Sequence, residues 1–233
     1  MSSEESRKRQ RVAEDNADDV QIAADEKRRT LPKSHKIVRD ETGKHHLLLL
    51  MTGACEVSKI PELLAEIEHK CGKERVIVKV VATERAARFF ESLELPYEGI
   101  VYEDKDEWAM LREKGNPMLH IELQKWADSA LIAPLDANTL GKISHGISDN
   151  IVLSIIRAWD LSKPCYFAPA MGMNMWENPL TLQHRTMLKS TLKFKEICPV
   201  RGDEGQGAMA SVGTISSLIA AMVRDQLAVR SLN

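Results

Sequence analysis

The chain has 233 residues, and its shares of hydrophobic residues (43%) and charged residues (28%) are ordinary for a globular protein. Its formal net charge of -2 gives no global field that would favour nucleic acid or an anionic membrane. No apolar run approaches the roughly 18 residues of a membrane span, and residues 1–11 lack the apolar segment of a secretory signal. We therefore expect no nucleic-acid or membrane partner and a cytoplasmic location, with the nucleus as the alternative.

Residues 1–44 differ in composition from the rest of the chain. They mix Lys and Arg with Asp and Glu and contain no aromatic residue, so they bury too little apolar surface to offset the entropy of ordering. We predict a flexible charged arm over 1–44, followed by one folded domain over 45–233. The basic clusters at 7–11 and 27–29 are more typical of solvated charge than of a nuclear address.

The folded part alternates apolar runs with stretches of helical periodicity. Short apolar or β-branched runs predict strands at 47–51, 76–81, 130–133 and 164–168. Pro134 is expected to end the third of these strands. Apolar residues at helical spacing predict helices at 60–71, 86–93, 143–159 and 213–229. This alternation is typical of βαβ units, and it predicts an α/β fold with a parallel sheet covered by helices on both faces.

Three loops follow predicted strands at their carboxyl ends, where open parallel sheets bind ligands. They contain Thr52-Gly53-Ala54, Thr83-Glu84-Arg85 and the segment 134–139. Gly53 permits close backbone approach, and the third loop enters a helix whose N-terminus could face a phosphate. Taken alone, each loop is more typical of ordinary turn chemistry than of a ligand site.

Several longer motifs are more specific. Residues 168–178 read Ala-Pro-Ala-Met-Gly-Met-Asn-Met-Trp-Glu-Asn, and residues 120–128 read His-Ile-Glu-Leu-Gln-Lys-Trp-Ala-Asp. Residues 137–139 are Ala-Asn-Thr, residues 157–160 are Arg-Ala-Trp-Asp, and residues 205–210 are Gly-Gln-Gly-Ala-Met-Ala. Together these segments resemble the homo-oligomeric flavin-containing cysteine decarboxylases, whose substrate loop has the pattern Pro-Ala-Met-Asn-x-x-Met-Trp. Within that family the chain is most similar to phosphopantothenoylcysteine decarboxylases and halotolerance-type flavoproteins.

The resemblance implies a trimeric, Rossmann-like flavoprotein with FMN between subunits and no metal. It implies that His120 is the catalytic base, a role suited to an imidazole that titrates near neutrality. It implies that FMN contacts Gly53, Ala54, Thr83, Arg85, Asp136, Ala137, Asn138, Thr139 and Ala170. It implies that the substrate contacts Met171, Gly172, Asn174 and Met175.

Two catalytic positions depart from the family pattern. Gly172 stands where the family has the Asn that holds the substrate carboxylate, and Arg201 stands where the family has the Cys that donates a proton. In an extended segment Asn174 would face the same side as Gly172, but roughly 6–7 Å further along. Cys198 lies three residues before Arg201, and we interpret it as a buried structural thiol.

The flavin loops also depart from the pattern, because Ala54 and Asp136 each stand where the family has Ser. A carboxylate beside an FMN phosphate is repulsive unless it points elsewhere. The chain has four cysteines, Cys55, Cys71, Cys165 and Cys198, and they show no paired metal-ligand spacing. We predict that they are reduced thiols.

Three functions follow as hypotheses from the resemblance. The first is a phosphopantothenoylcysteine decarboxylase subunit of coenzyme A biosynthesis, which supplies His120 to a site shared within a homotrimer or with a paralogue. The second is a non-catalytic, halotolerance-type regulatory subunit that inhibits a Ser/Thr protein phosphatase. The third is a complete decarboxylase of 4′-phosphopantothenoylcysteine in which Asn174 and Cys198 take over the two missing roles.

Overall fold

The predicted alternation of strands and helices is confirmed by a computed structural model, which describes residues 37–39, 42–92, 99–110, 117–198 and 208–230. Within these residues one parallel sheet has the order β3-β2-β1-β4-β5-β6. Its strands are β1 His45–Met51, β2 Val76–Ala82, β3 Val101–Tyr102, β4 Ser129–Leu135, β5 Cys165–Pro169 and β6 Lys195–Glu196. The predicted arm, apart from its last residues, and Arg201 lie outside the described residues.

The helices follow the strands in the expected order. They are α1 Ile60–Cys71, α2 Glu84–Ser92, α3 Asp104–Met110, α4 Leu119–Trp126, α5 Ala137–Ser144, α6 Ile151–Arg157, α7 Met173–Trp176, α8 Pro179–Ser190 and α9 Val212–Arg230. A short 3₁₀ helix, Cys55–Lys59, precedes α1. The strands β3 and β6 have two residues each, too few for a periodic signal, and the sequence analysis did not predict them.

Both faces of the sheet are covered, which explains why the central strands are apolar throughout. Every residue of β1 and of β4 is buried. The side chains of β1 alternate between the faces, and Leu47, Leu49 and Met51 join one apolar cluster with α1, α2 and α9. On the other side α6 packs against β2 and α4. This two-sided burial is the physical cause of the continuous Leu run in β1.

The structure corrects two of the predicted boundaries. Pro134 does not end the third strand, since β4 continues to Leu135. The pairing of β4 with β5 shifts register between Ile132 and Leu135, which accommodates a residue that has no N–H to donate. The predicted helix 143–159 is two helices, because Gly146 adopts a positive φ of 70° and Asn150 caps the N-terminus of α6.

Among the described residues, α9 alone is long and apolar enough by composition to cross a membrane. It packs against α1 and β1, and its residues Val212, Ile215, Ile219 and Val223 are buried in the core. These contacts are those of a core helix.

Asp128 joins the two ends of the described residues, Arg39 and Arg230, at the amino edge of the sheet. It lies directly before β4 and accepts hydrogen bonds from Arg39 Nη2 (2.6 Å), Arg230 Nη2 (2.5 Å) and the backbone N–H of His46 (2.8 Å). Arg39 belongs to the predicted arm, and it also donates to the carbonyl of Trp126. The described part of the arm therefore contacts the folded domain. We call Asp128, Arg39, Arg230 and His46 the basal cluster.

Candidate functional site

A cleft of about 510 Å³ opens at the carboxyl edge of the sheet, opposite the basal cluster. Its walls come from the loops after β1, β2, β4 and β5, and its volume is in the range of small-molecule and cofactor sites. Ten predicted ligand contacts line it: Gly53, Ala54, Arg85, Asp136, Ala137, Asn138, Ala170, Met171, Gly172 and Met175. It is also lined by Cys55, Glu56, Met173 and Ala208, which the sequence analysis did not single out as ligand contacts.

Thr52 holds two walls of the cleft together. Its hydroxyl donates to the carbonyl of Pro134 (2.9 Å) and accepts the backbone N–H of Asp136 (2.8 Å). The side chain is fully buried, so these bonds are shielded from water. Thr52 therefore fixes the loop after β1 against the loop after β4, a role that no local sequence pattern indicates.

Gly53 is placed where only a glycine fits without movement. A Cβ at this position would lie 3.0 Å from the Cβ of Arg85 and 3.7 Å from an Asp136 carboxylate oxygen. Since the Cβ of Arg85 cannot rotate away, a side chain at Gly53 would push the start of α2 outward. The glycine thus lets the loop after β1 and the cation of Arg85 converge on the cleft.

The carboxylate of Asp136 is directed toward the N-terminus of α5. It accepts the backbone N–H of Thr139 at 2.5 Å and is the N-cap of that helix. An anion at this end is stabilised by the helix dipole. The first N–H groups of a helix have no intrahelical acceptor, and Ala137 and Asn138 line the cleft. The charge of Asp136 is therefore directed at the helix that it caps. The free N–H groups at the N-terminus of α5 still favour an anion in the cleft.

The segment after β5 turns into a short helix at the mouth of the cleft. The N–H of Ala170 donates to the carbonyl of Leu135, so the segment starts fixed to β4. Gly172 is the N-cap of α7, at φ -63° and ψ 153°, and a Cβ there would meet nothing within 4 Å. The expected extended conformation is wrong because Met173–Trp176 is helical. Asn174 is exposed and is not among the residues that line the cleft.

Thr83 and Thr139, two predicted FMN contacts, do not line the cleft. The hydroxyl of Thr83 accepts the N–H of Ala86 at the start of α2 (3.4 Å), and its backbone N–H donates to Met51 at the end of β1. Thr139 is buried, and its N–H is held by Asp136. In this chain both residues shape the loops that carry the neighbouring contacts.

His120 lies in the first turn of α4 and is not part of the cleft lining. Its Nδ1–H donates to the carboxylate of Glu107 on α3 in a short hydrogen bond. The side chains are 17% and 12% exposed, so the pair is shielded but not sealed from solvent. Glu107 leaves Nε2 as the ring nitrogen that can exchange a proton. The sequence analysis missed Glu107, which is 13 residues away.

The cysteines divide into buried and exposed thiols. Burial raises the pKa of Cys71 and, more strongly, that of Cys165, so both are poor thiolates near neutral pH. Cys198 is exposed, which corrects its interpretation as a buried thiol, and it does not line the cleft. No group of three or more His, Cys, Asp or Glu side chains within the described ranges could hold a metal ion.

The cleft fits a flavin with a phosphate tail. Gly53 lets Arg85 pack against the loop after β1, Arg85 supplies a cation to the cleft, and the N-terminus of α5 favours an anion. Glu56 and Asp136 oppose an anion by their charge, but the Asp136 carboxylate is engaged by the helix it caps. Seven of the nine predicted FMN contacts line this cleft, and Thr83 and Thr139 do not.

Comparisons with known proteins identify the family of this chain. A family model described as Flavoprotein matches residues 35–224. The phosphopantothenoylcysteine decarboxylase of Mus musculus is 43% identical over 193 residues, which are 80% of this chain and 91% of the mouse protein.

Two solved structures share the fold at comparable identity. A cysteine-to-serine variant of PPC decarboxylase complexed with pantothenoylaminoethenethiol has a TM-score of 0.67 at 42% identity, over 78% of this chain and 97% of its own. The FMN binding protein AtHal3 has a TM-score of 0.67 at 42% identity, over 78% of this chain and 95% of its own. They support the Rossmann-like flavoprotein fold and the FMN cofactor expected from the motifs, and the chain belongs to the Flavoprotein family.

Proposed function

We propose that this chain binds FMN in the cleft and supplies His120 to a decarboxylase site that is shared between subunits. The observation that carries the proposal is the convergence of ten predicted contacts on one cleft, with His120 outside its lining. A base outside the cleft of its own chain can serve the cleft of a neighbour. The assembly we propose is a homotrimer or a mixed trimer with a paralogue, and the substrate is 4′-phosphopantothenoylcysteine.

Each described group has a task in this proposal. FMN, when bound, supplies the redox chemistry that activates the cysteine unit of the substrate for loss of CO2. Arg85 and the N-terminus of α5 attract the phosphate of the cofactor, while Met171 and Met175 form the apolar wall beside the substrate. His120, oriented by Glu107, exchanges a proton through Nε2. Gly172 offers no side chain to the substrate carboxylate, so a site built from this chain alone is incomplete.

Complementation tests the shared site. The chain would be co-expressed with the mouse decarboxylase in which the family His is replaced by Asn, and a tag on each partner would select mixed assemblies. We expect flavin absorption in the pure chain and in the mixed assembly, but release of CO2 from 4′-phosphopantothenoylcysteine only in the mixed assembly, because each partner restores the catalytic group that the other lacks. Full turnover by the pure chain would refute the half-site, and a colourless protein would refute FMN binding.

Gly53→Ala is expected to lower the affinity for FMN about tenfold. The added Cβ meets the Cβ of Arg85 at 3.0 Å, and overpacking of this kind costs roughly 1–3 kcal/mol. The measurement is flavin bound per chain during titration of the apoprotein. Gly213→Ala in α9 is the matched control, since a Cβ there meets nothing within 4 Å and Ala favours helix. Equal FMN affinities for the two variants would contradict this view of the cleft.

The second candidate is the regulatory subunit of a Ser/Thr protein phosphatase. It is favoured by the missing amide at Gly172, which a purely binding protein would not need, and by the similarity to the FMN binding protein AtHal3. A pull-down with the catalytic phosphatase subunit, followed by an inhibition assay, tests it. Stoichiometric capture with inhibition, and no activity in the mixed decarboxylase assembly, would select this function.

A further inference from the structure

The short helix α7, Met173–Trp176, is fastened to the next helix, α8. We call it the clamp turn, since Met173 and Met175 line the cleft. The hydroxyl of Thr181 on α8 donates to the carbonyl of Met175 at 2.5 Å. The N–H groups of Met175 and Trp176 donate back to the carbonyl of Gly172, at 2.9 and 3.0 Å. One wall of the cleft therefore depends on how α8 holds this turn.

Arg185 on α8 connects the clamp turn to the edge strand β6. Its Cζ lies 3.7 Å from the centroid of the Trp176 ring, within the range of a cation–π contact. Its Nε donates to the carboxylate of Glu196 at 2.5 Å. The side chains of Arg185 and Glu196 are 14% and 5% exposed, so the guanidinium is held on both sides in a poorly hydrated place.

Lys189 is a second partner of Glu196, and it is Arg185 that stacks on Trp176. Its Nζ lies 2.9 Å from the other carboxylate oxygen of Glu196, and its side chain is 44% exposed. Loss of Lys189 would leave the carboxylate paired with Arg185. Loss of Arg185 would leave Trp176 without its cation and the buried carboxylate with one exposed partner, which is the costlier change.

We infer that Arg185 is a positioning residue that holds the clamp turn, and with it Met175, against β6. The physical reason is the planar guanidinium, which can stack on a ring and bond a carboxylate at the same time, as an ammonium cannot. The strand β6 precedes residues 199–207, and Ala208 beyond them lines the cleft. Arg185 thus connects the clamp turn with the edge strand β6.

Hydrogen exchange tests this inference without any ligand. In Arg185→Gln the amides of Met175 and Trp176 are expected to exchange about threefold to tenfold faster, the range that loss of one cation–π contact allows. Arg185→Lys is expected to lie between wild type and Arg185→Gln, and Lys189→Gln is expected to match wild type. The exchange of the β1 amides reports global stability and serves as the internal control. Trp176→Leu is the second variant, because it removes the ring and leaves the ion pair between Arg185 and Glu196 in place.

Exchange at Met175 and Trp176 that is unchanged in Arg185→Gln and in Trp176→Leu would overturn the inference. An equal acceleration in Arg185→Gln and Lys189→Gln would overturn it too, because it would assign the effect to Glu196 alone. Acceleration confined to these amides in Arg185→Gln and Trp176→Leu would support it.

Binding then connects the clamp turn with function, and this step rests on the proposed function. Calorimetric titration of the FMN-loaded protein with 4′-phosphopantothenoylcysteine is expected to show binding about threefold to tenfold weaker in Arg185→Gln, with flavin content unchanged. Lys189→Gln is expected to bind within about twofold of wild type. No binding by wild type would refute the proposed substrate, while the exchange experiment would still decide the role of Arg185.

Discussion

The Gly172→Asn variant is expected to decarboxylate 4′-phosphopantothenoylcysteine as a pure protein at least about tenfold faster than the wild-type chain. A hydrogen bond between an amide and a charged carboxylate contributes about 1.5–3 kcal/mol, which corresponds to a factor of ten or more. The backbone accepts the change, because φ -63° and ψ 153° suit any residue and Asn is a preferred N-cap. The new side chain would meet no atom within 4 Å of its Cβ.

The product of this variant is a second readout. Arg201 stands at the family Cys position and is no proton donor at neutral pH, so we expect the reaction to stop at CO2 and the unsaturated thiol. The two electrons removed from the substrate would then stay with the bound FMN until dioxygen accepts them. Pantothenoylaminoethenethiol, with which the cysteine-to-serine variant of PPC decarboxylase is complexed, is a compound of this kind. Mass spectrometry of the product distinguishes it from the saturated thiol, which we expect only when Arg201→Cys is added.

Gly172→Ala is the matched control for Gly172→Asn. It adds a Cβ in the same open space but no hydrogen-bond donor, so it is expected to behave as wild type. If Asn and Ala at this position gave the same rate of CO2 release, the missing amide would not be what limits the pure chain. The half-site interpretation would then be wrong.

The Asp128→Ala variant is expected to lose about 2–3 kcal/mol of folding free energy, because hydrogen bonds to a charged and poorly hydrated carboxylate contribute about 1.5–3 kcal/mol. The carboxylate is 8% exposed, and three donors of the basal cluster would lose their acceptor. Urea denaturation monitored by circular dichroism measures the change. Asp149→Ala, which removes an exposed carboxylate paired with Lys142, is the control and is expected to stay within about 0.5 kcal/mol. Equal losses in both variants would contradict the role of the basal cluster.

The basal cluster also makes stability depend on pH. Burial raises the pKa of Asp128, but the N–H of His46 and the guanidiniums of Arg39 and Arg230 outweigh it and lower that pKa from 3.8 to about 2. Because the folded-state pKa lies below the unfolded one, this stabilisation is complete above pH 3.8 and is lost as the pH falls toward 2.

Buried His45 also makes the folded state less stable as the pH falls, but at higher pH than Asp128 does. Burial lowers its pKa from 6.5 to about 4, and the nearby charge of Asp128 opposes this shift. The unfolded chain therefore binds more protons between these values, so stability is unaffected above pH 6.5 and falls as the pH drops toward 4. His45→Gln is expected to flatten the pH dependence of unfolding in this interval. An unchanged slope would contradict a buried neutral imidazole.

Elements whose environment is uniform along the chain could be predicted from the sequence. The Leu run of β1 and the helix Ile60–Cys71 were placed within two residues, since burial on both faces or along one stripe leaves a direct local pattern. The break between α5 and α6 was missed, because Ile143, Ile147 and Ile151 continue a helical spacing across it.

The sequence by itself determined the fold class, the family and the loops after β1, β2, β4 and β5 that line the cleft. Strand and helix patterns are local, and the carboxyl ends of parallel strands necessarily share one edge of the sheet. Only the tertiary structure decided where individual side chains point: Asp136 toward α5, His120 toward Glu107, and Arg185 between Trp176 and Glu196. The direction of each side chain depends on partners that packing brings together from distant parts of the chain. Periodicity in the sequence therefore does not predict these directions.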